Sequence, residues 1–269
     1  MKITGYIQTY SFKARDKIIE AGMQFLKAAG LESLSSELFS CVDELIKNAV
    51  KANYKFLLIR DGIFDSIQNN NPGKKDSEIE LEIGEIIKDQ KKFDSMAAEI
   101  VKTEDVSAIV REILNQESKL LTIKNRAYKE GRSFTDEEKE KIAGLRLITI
   151  IRNKIKERNI KIILKIQADK DFIYIEVTNT APILTGDLQR IYKKREEHQR
   201  YKDEAREHEF FIDNLDTSES GFGLGYAKID VILANWGLDV NRAVTIISSI
   251  NTTVMLTLPV EELRKKSGI

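Results

Sequence analysis

The run IKIILKIQADKDFIYIEVTNT, residues 160–180, constrains this chain more than any other stretch. Two β-rich, partly alternating apolar runs flank the turn-prone ADKD, and the pattern reads as a hairpin. A hairpin alone is marginal in water, so it has to be built into a larger sheet or covered by helices. Helical periodicity dominates elsewhere, and only three prolines interrupt it. The combination predicts an α+β fold.

The 269 residues suffice for one large domain or two small ones. Lys+Arg and Asp+Glu are 43 each, so bulk charge offers no pull toward nucleic acid or an anionic membrane. Cys41 is the only cysteine, which excludes an intrachain disulfide and a cysteine zinc cluster. No apolar run is long enough to span a bilayer, and the opening MKITGYIQTYSFKARDK lacks the apolar stretch of a signal peptide. The expected location is the cytoplasm.

Three textures follow one another. Up to residue 68, ARDKIIEAGMQFLKAAG has helical spacing and a C-capping Gly30, and SSELFSCVDELIKNAVKANYKFLLI forms a second helix capped by Ser35 or Ser36. Residues 69–158 open with the turn signal NNNPGKK and continue as Lys/Glu-rich amphipathic segments, a helical insertion. Its clearest helix is TDEEKEKIAGLRLITIIRNKIKERN, where Thr135 and Glu138 have capping-box spacing. Residues 159–269 return to mixed structure: the hairpin, the charged helix DLQRIYKKREEHQRYKDEAREHEFF, the helix LGYAKIDVILANW, and short closing strands with turns at Asn241 and Asn251.

Several polar residues stand out. In DELIKNAVKAN, Glu44 and Asn48 are one turn apart on one helix face, and Lys51 lies a further turn along. A carboxylate can take a proton from water, and an amide oxygen suits Mg²⁺. Asn179 ends a predicted strand, where it can meet a base edge or form an Asx-turn. SGFGLGYAKI, residues 220–229, puts three glycines before a helix, a backbone cradle for anions. It follows the polar DNLDTSES rather than a strand and has no lysine in the loop, which argues against Rossmann and Walker motifs. His198 and His208 read as solvated helix residues, Cys41 as a small core residue, and Trp236 as core or interface. KKREEHQRYKDEARE reads as a solvated helix face.

In their order these pieces resemble the GHKL ATPase superfamily, over roughly residues 5–60 and 158–262. DELIKNAVKAN resembles its N box, IEVTNTAPI its first glycine box, SGFGLGYAKIDVILANWG its second, and INTTVMLTLP its closing segment. The resemblance implies a Bergerat-type sandwich: a mostly antiparallel sheet with helices on one face, the ATP-binding domain being residues 1–68 and 159–269, interrupted by the insertion. Residues 184–220 would then be the ATP lid. It further implies ATP and Mg²⁺ as ligands. Asn48 would hold Mg²⁺, Glu44 would be the general base, and Lys51 would approach phosphate. Gly221, Gly223 and Gly225 would wrap the phosphates, with Phe222 and Leu224 between them. Asn179 and Thr252 would hold adenine, and Ile183 would also belong to the nucleotide-binding residues. Asn179 stands where the family carries an acid, Ala181 and Pro182 replace its glycines, and Asn251 replaces a further one.

Neither histidine lies in the family's phosphoacceptor context, so a conventional sensor kinase is not expected. The N-terminal stretch is also similar to anti-sigma-factor serine kinases. A stand-alone signalling kinase with a protein partner or acceptor, a plain ATPase, and a nucleotide-gated or catalytically silent adaptor docking through the insertion all remain open. The inserted helices are the natural interface if the chain pairs with itself.

Overall fold

The computed structural model describes residues 2–215 and 224–267. Strand β1 (Lys2–Ile7) leads into helices α1 (Phe12–Ala29) and α2 (Ser35–Asn70). Five helices follow: α3 (Asp76–Lys88), α4 (Gln90–Thr103), α5 (Val106–Lys129), α6 (Asp136–Gly144) and α7 (Arg146–Glu157). Strands β2 (Ile162–Ala168) and β3 (Phe172–Asn179) form the hairpin. Helices α8 (Thr185–Asp203), α9 (Glu207–Leu215) and α10 (Leu224–Asn235) precede the short α11 (Val240–Ala243), and β4 (Val244–Ser248), β5 (Thr252–Pro259) and α12 (Val260–Ser267) close the chain.

The chain is α+β, and its five strands form one antiparallel sheet in the order β1-β2-β3-β5-β4. Alternation sorts the faces. Ile162, Leu164, Ile166, Ile173, Ile175, Val177, Val254 and Leu256 are buried on one side. The other side carries cross-strand polar pairs, Lys165 with Glu176 at 3.0 Å and the Thr178 and Thr253 hydroxyls at 2.9 Å. Strand β1 carries no clear signal in the sequence, because it is a short edge strand whose Tyr6 is 69 % exposed and which buries only Ile7.

Local chemistry sets the helix ends. Ser11 Oγ accepts from the Ala14 N–H at 3.2 Å to start α1, and Gly30, at φ +71°, ends it as expected. Ser35 and Ser36 do not cap α2. A 3₁₀ turn, Glu32–Leu34, runs straight into the helix and leaves both serines inside it. Helix α2 also continues well past Ile59, to Asn70. Gly62 lets α4 come close there, since a Cβ would stand 2.7 Å from Ile100 Cγ2.

The helix expected over 135–159 is two. The Thr135–Glu138 capping box is present, but Leu145 leaves helical ψ at 67°. That turn lets α7 bury Ile148, Ile151 and Ile155, while α6 stays on the surface. Helices α3, α4, α5 and α7 pack along the second half of α2, and their apolar residues belong to the same continuous core as the sheet's. The charged helix expected over 187–211 likewise divides, at Ala205 with φ +57°. Asn241 falls inside α11, and α12 has no counterpart in the sequence reading.

The expectation of a solvated face along residues 193–207 is wrong for two residues. Arg195 and His198 are buried. Arg195 donates to both carboxylate oxygens of Asp230 at 2.8 and 2.9 Å and to the Val240 carbonyl at 2.9 Å, which ties α8 to α10 and α11. Burial raises the Asp230 pKa, and the guanidinium opposes that shift. His198 lies against the rings of Phe210 and Phe211, with Nε2 3.1 Å from Glu207. Burial lowers its pKa, against the pull of Glu207 and Asp230. Arg195 is buried with its charge matched by Asp230, whereas His198 is buried by ring packing, and its ring nitrogens make no hydrogen bond that meets ordinary geometry. His208 is exposed, as expected.

Removing one partner of a buried bidentate pair leaves an uncompensated charge. Arg195→Ala should therefore cost about 3–5 kcal/mol, read as the midpoint of urea unfolding. Arg195→Met combined with Asp230→Leu should recover most of that loss.

Candidate functional site

Glu44, Asn48 and Lys51 share one face of α2, as their spacing requires. Helix α10 begins against this face. A Cβ on Gly225 would collide with Glu44 Oε1 and stand 2.8 Å from Asn48 Nδ2. A side chain at 225 would have to displace the ends of the Glu44 and Asn48 side chains from where they lie. Asn48 Nδ2 is buried there without a hydrogen-bond partner. Leu224, half-buried, opens α10. Gly221, Phe222 and Gly223 lie outside the described residues.

Asn179 and Thr252 face each other across β3 and β5. Both are buried, and both hold Ala181. Asn179 Oδ1 accepts from the Ala181 N–H at 3.3 Å, an Asx-type contact, and its Nδ2 donates to the Ala49 carbonyl at 3.4 Å. The Thr252 hydroxyl donates to the Ala181 carbonyl at 3.1 Å. Asn48, Asn179, Ile183 and Thr252, far apart in sequence, line one cavity with Ile191 of α8 and Tyr226 of α10. That cavity measures only about 40 Å³, little more than the roughly 30 Å³ that one water takes up in the liquid. Ile191 and Tyr226 stand in its lining beside Leu45, Ala49, Val177 and Val254.

A second cavity, of about 450 Å³, opens between α2 and α5. Glu44, Lys47, Asn48 and Lys51 form its α2 side, and Leu114, Ser118, Leu121 and Thr122 form its α5 side. Asn48 lines both cavities. The inserted helix therefore builds one wall of the candidate site, which sequence reasoning missed. Its only trace in the sequence is the helical spacing of 114, 118, 121 and 122, which looks like any amphipathic face.

The electrostatics around the second cavity are tightly paired. Asp43 accepts from the buried Tyr10 hydroxyl, meets Lys47 at 2.6 Å and lies 3.3 Å from Arg15. Glu117 accepts from the Tyr54 hydroxyl at 2.7 Å and from Arg152 at 3.0 Å. Lys55 binds Asp187 at 2.6 Å and so ties α2 to the start of α8. Burial, followed by the nearby Lys55 charge, pulls Lys51 down to about 8, against Asp187 and Glu44. Cys41 is fully buried, and burial pushes its thiol up to about 12, which suits a core residue. Trp236 is buried too, and its indole N–H donates to Glu37.

For chemistry, the α2 face offers a carboxylate and an amide oxygen one turn apart, with a lysine beside them. These are hard donors of the kind Mg²⁺ takes alongside water and phosphate oxygens. No helix among the described residues is long and apolar enough to cross a membrane. No model of a known protein family, no curated protein and no solved structure matches the chain.

Two outcomes are expected. Gly225→Ala should cost about 1–3 kcal/mol by overpacking. Glu44→Ala in the same molecule should relieve part of that cost, with a coupling of about 0.5–3 kcal/mol in a double-mutant cycle. Lys51 should titrate near 8 in competitive acetylation, well below the ordinary 10.5. Its folded value is depressed, so the charged form costs stability below pH 8. That cost fades as the pH rises from about 8 toward 10.5.

Proposed function

We propose that the chain binds Mg²⁺–ATP and uses it for phosphoryl transfer or hydrolysis, as a histidine-kinase-like domain of the GHKL type acting in signalling. The observation that carries this reading is the convergence of Asn48, Asn179, Ile183 and Thr252 on one cavity, with Gly225 beside Glu44 and Asn48. These positions belong to four separate motifs, with Asn179 and Ile183 sharing one. The order of elements supports it as well: the helix bearing Glu44 and Asn48, the strand ending in Asn179, the helix that follows the glycines, and the strand that starts at Thr252 and pairs with it.

Each residue then has a task. Asn179 and Thr252 hold the base edge, and to do so they exchange contacts they now make with Ala49 and Ala181. Asn48 supplies the amide oxygen for the metal. Its Nδ2 has no partner, so no hydrogen bond of that nitrogen opposes a turn of the amide. When bound, Mg²⁺ would offset the phosphate charge. Lys51 adds a positive charge beside Asn48, and Glu44 orients a water or hydroxyl and takes its proton.

One observation favours a second reading. The cavity beside Asn179 and Thr252, about 40 Å³, cannot take a nucleotide unless its walls move. A nucleotide-gated or silent adaptor, docking partners through the inserted helices, would be built in this way.

Calorimetric titration with a non-hydrolysable ATP analogue, with and without Mg²⁺ and beside the GTP analogue, separates ATP binding from a silent adaptor, and turnover of ATP separates catalysis from nucleotide gating. Mg²⁺-dependent, adenine-preferring binding in the micromolar range is expected. Glu44→Ala should keep that binding and lose turnover of ATP. Absence of binding at millimolar analogue would sink the ATP reading and leave the silent adaptor.

A further inference from the structure

We propose that the groove between α2 and α5 is an acceptor site, taking a small uncharged alcohol or phenol with an apolar body whose hydroxyl lies against Glu44. This rests on the Mg²⁺–ATP reading and names the second substrate for it.

Volume argues first. Hydrolysis needs room for one water, roughly 30 Å³, whereas the groove offers about 450 Å³, within the range of small-molecule sites. Position argues next. Asn48 is the wall shared with the base-side cavity, so a molecule in the groove lies beyond the metal-binding residue, on the side away from Asn179 and Thr252. Glu44 lines this same groove.

The wall chemistry selects the class. Phe12, Val50, Leu114 and Leu121 provide apolar surface, and Tyr10, Ser118 and Thr122 complete the lining, the Tyr10 hydroxyl being engaged by Asp43 and the Thr122 hydroxyl by the Ser118 carbonyl at 2.9 Å. The charged side chains in the lining are Glu44 and Glu117 against Lys47 and Lys51, two of each sign. Lys47 is already paired with Asp43 at 2.6 Å, and Glu117 with Arg152 at 3.0 Å. A wall with no net charge and paired ions gives a charged acceptor nothing to gain. An apolar body gains from the leucines and Phe12.

The step balances with ATP as co-substrate. The acceptor oxygen bonds to the γ-phosphorus, and its proton passes to the Glu44 carboxylate. The bond from that phosphorus to the β,γ-bridging oxygen breaks, and its electron pair leaves with ADP. Glu44 returns the proton to solvent.

Two ATP analogues esterified at the γ-phosphate serve as probes, one with a methyl group and one with a 3-phenylpropyl group. Their charge is the same and only the apolar body differs. Calorimetry on the full chain with Mg²⁺ should find the phenylpropyl ester about tenfold or more tighter. Thr122→Trp and, separately, Ser118→Trp fill the groove from exposed positions of α5. Each should erase the difference while the methyl ester binds as before. Equal binding of the two esters to the unaltered chain, or weaker binding of the phenylpropyl ester, would overturn the acceptor groove and leave ATP binding standing. If neither the esters nor the parent analogue binds, the ATP reading fails and the acceptor groove fails with it.

Discussion

Helix α2 is longer than the sheet it packs against, and most of the architecture answers to that mismatch. Its 36 residues extend about 54 Å at 1.5 Å per residue. The longest strands have 8 residues and span roughly 27 Å. The apolar stripe of α2 does not stop where the sheet stops. Leu38, Val42 and Leu45 lie in the first half, and Leu57, Ile59, Ile63 and Ile67 continue it in the second, all buried. A helix overhanging its sheet with a bare apolar face would be unstable in water. Helices α3, α4, α5 and α7 cover the overhang, and one continuous core results. The candidate site lies where the two halves meet, so it receives side chains from both.

Buried polar groups then decide how the remaining helices attach. Arg195 with Asp230, Lys55 with Asp187, and Glu117 with Tyr54 and Arg152 each join elements far apart in sequence. Such pairs contribute little net stability compared with apolar packing, but a misplaced helix leaves them unpaired at high cost. They therefore specify one arrangement. The same arrangement sets Ile191 and Tyr226 in the lining of the small cavity beside Asn179 and Thr252.

Legibility from the sequence follows the strength of local signals. The hairpin, α1 with Gly30, the Thr135 capping box and the one-faced alternation of β2 and β3 were readable, because each rests on neighbours within a few residues. Strand β1 was not, since an edge strand needs little burial to pair. The caps proposed at Ser35 and Ser36 failed because the preceding 3₁₀ turn already engages the start of α2. The burial of Arg195 and His198 was invisible for another reason: their partners lie on other elements or beyond the helix break, and composition alone marks such residues as solvated. In the site, Glu44, Asn48, Asn179, Ile183, Thr252 and Gly225 could be named from short motifs. The α5 wall, with Leu114, Ser118, Leu121 and Thr122, could not.

By itself the sequence determined the hairpin and its facing, most of the long helices, and the placing of Glu44, Asn48 and Lys51 on one helix face, because the periods of helix and strand are properties of the local backbone. Only the tertiary structure decided that Gly225 abuts Glu44, that Asn179 and Thr252 already clasp Ala181, and that α5 closes a groove over Asn48. Those facts depend on how far α2 overhangs the sheet and on which buried charges find each other. Both are sums over contacts distant along the chain, and no local spacing encodes them.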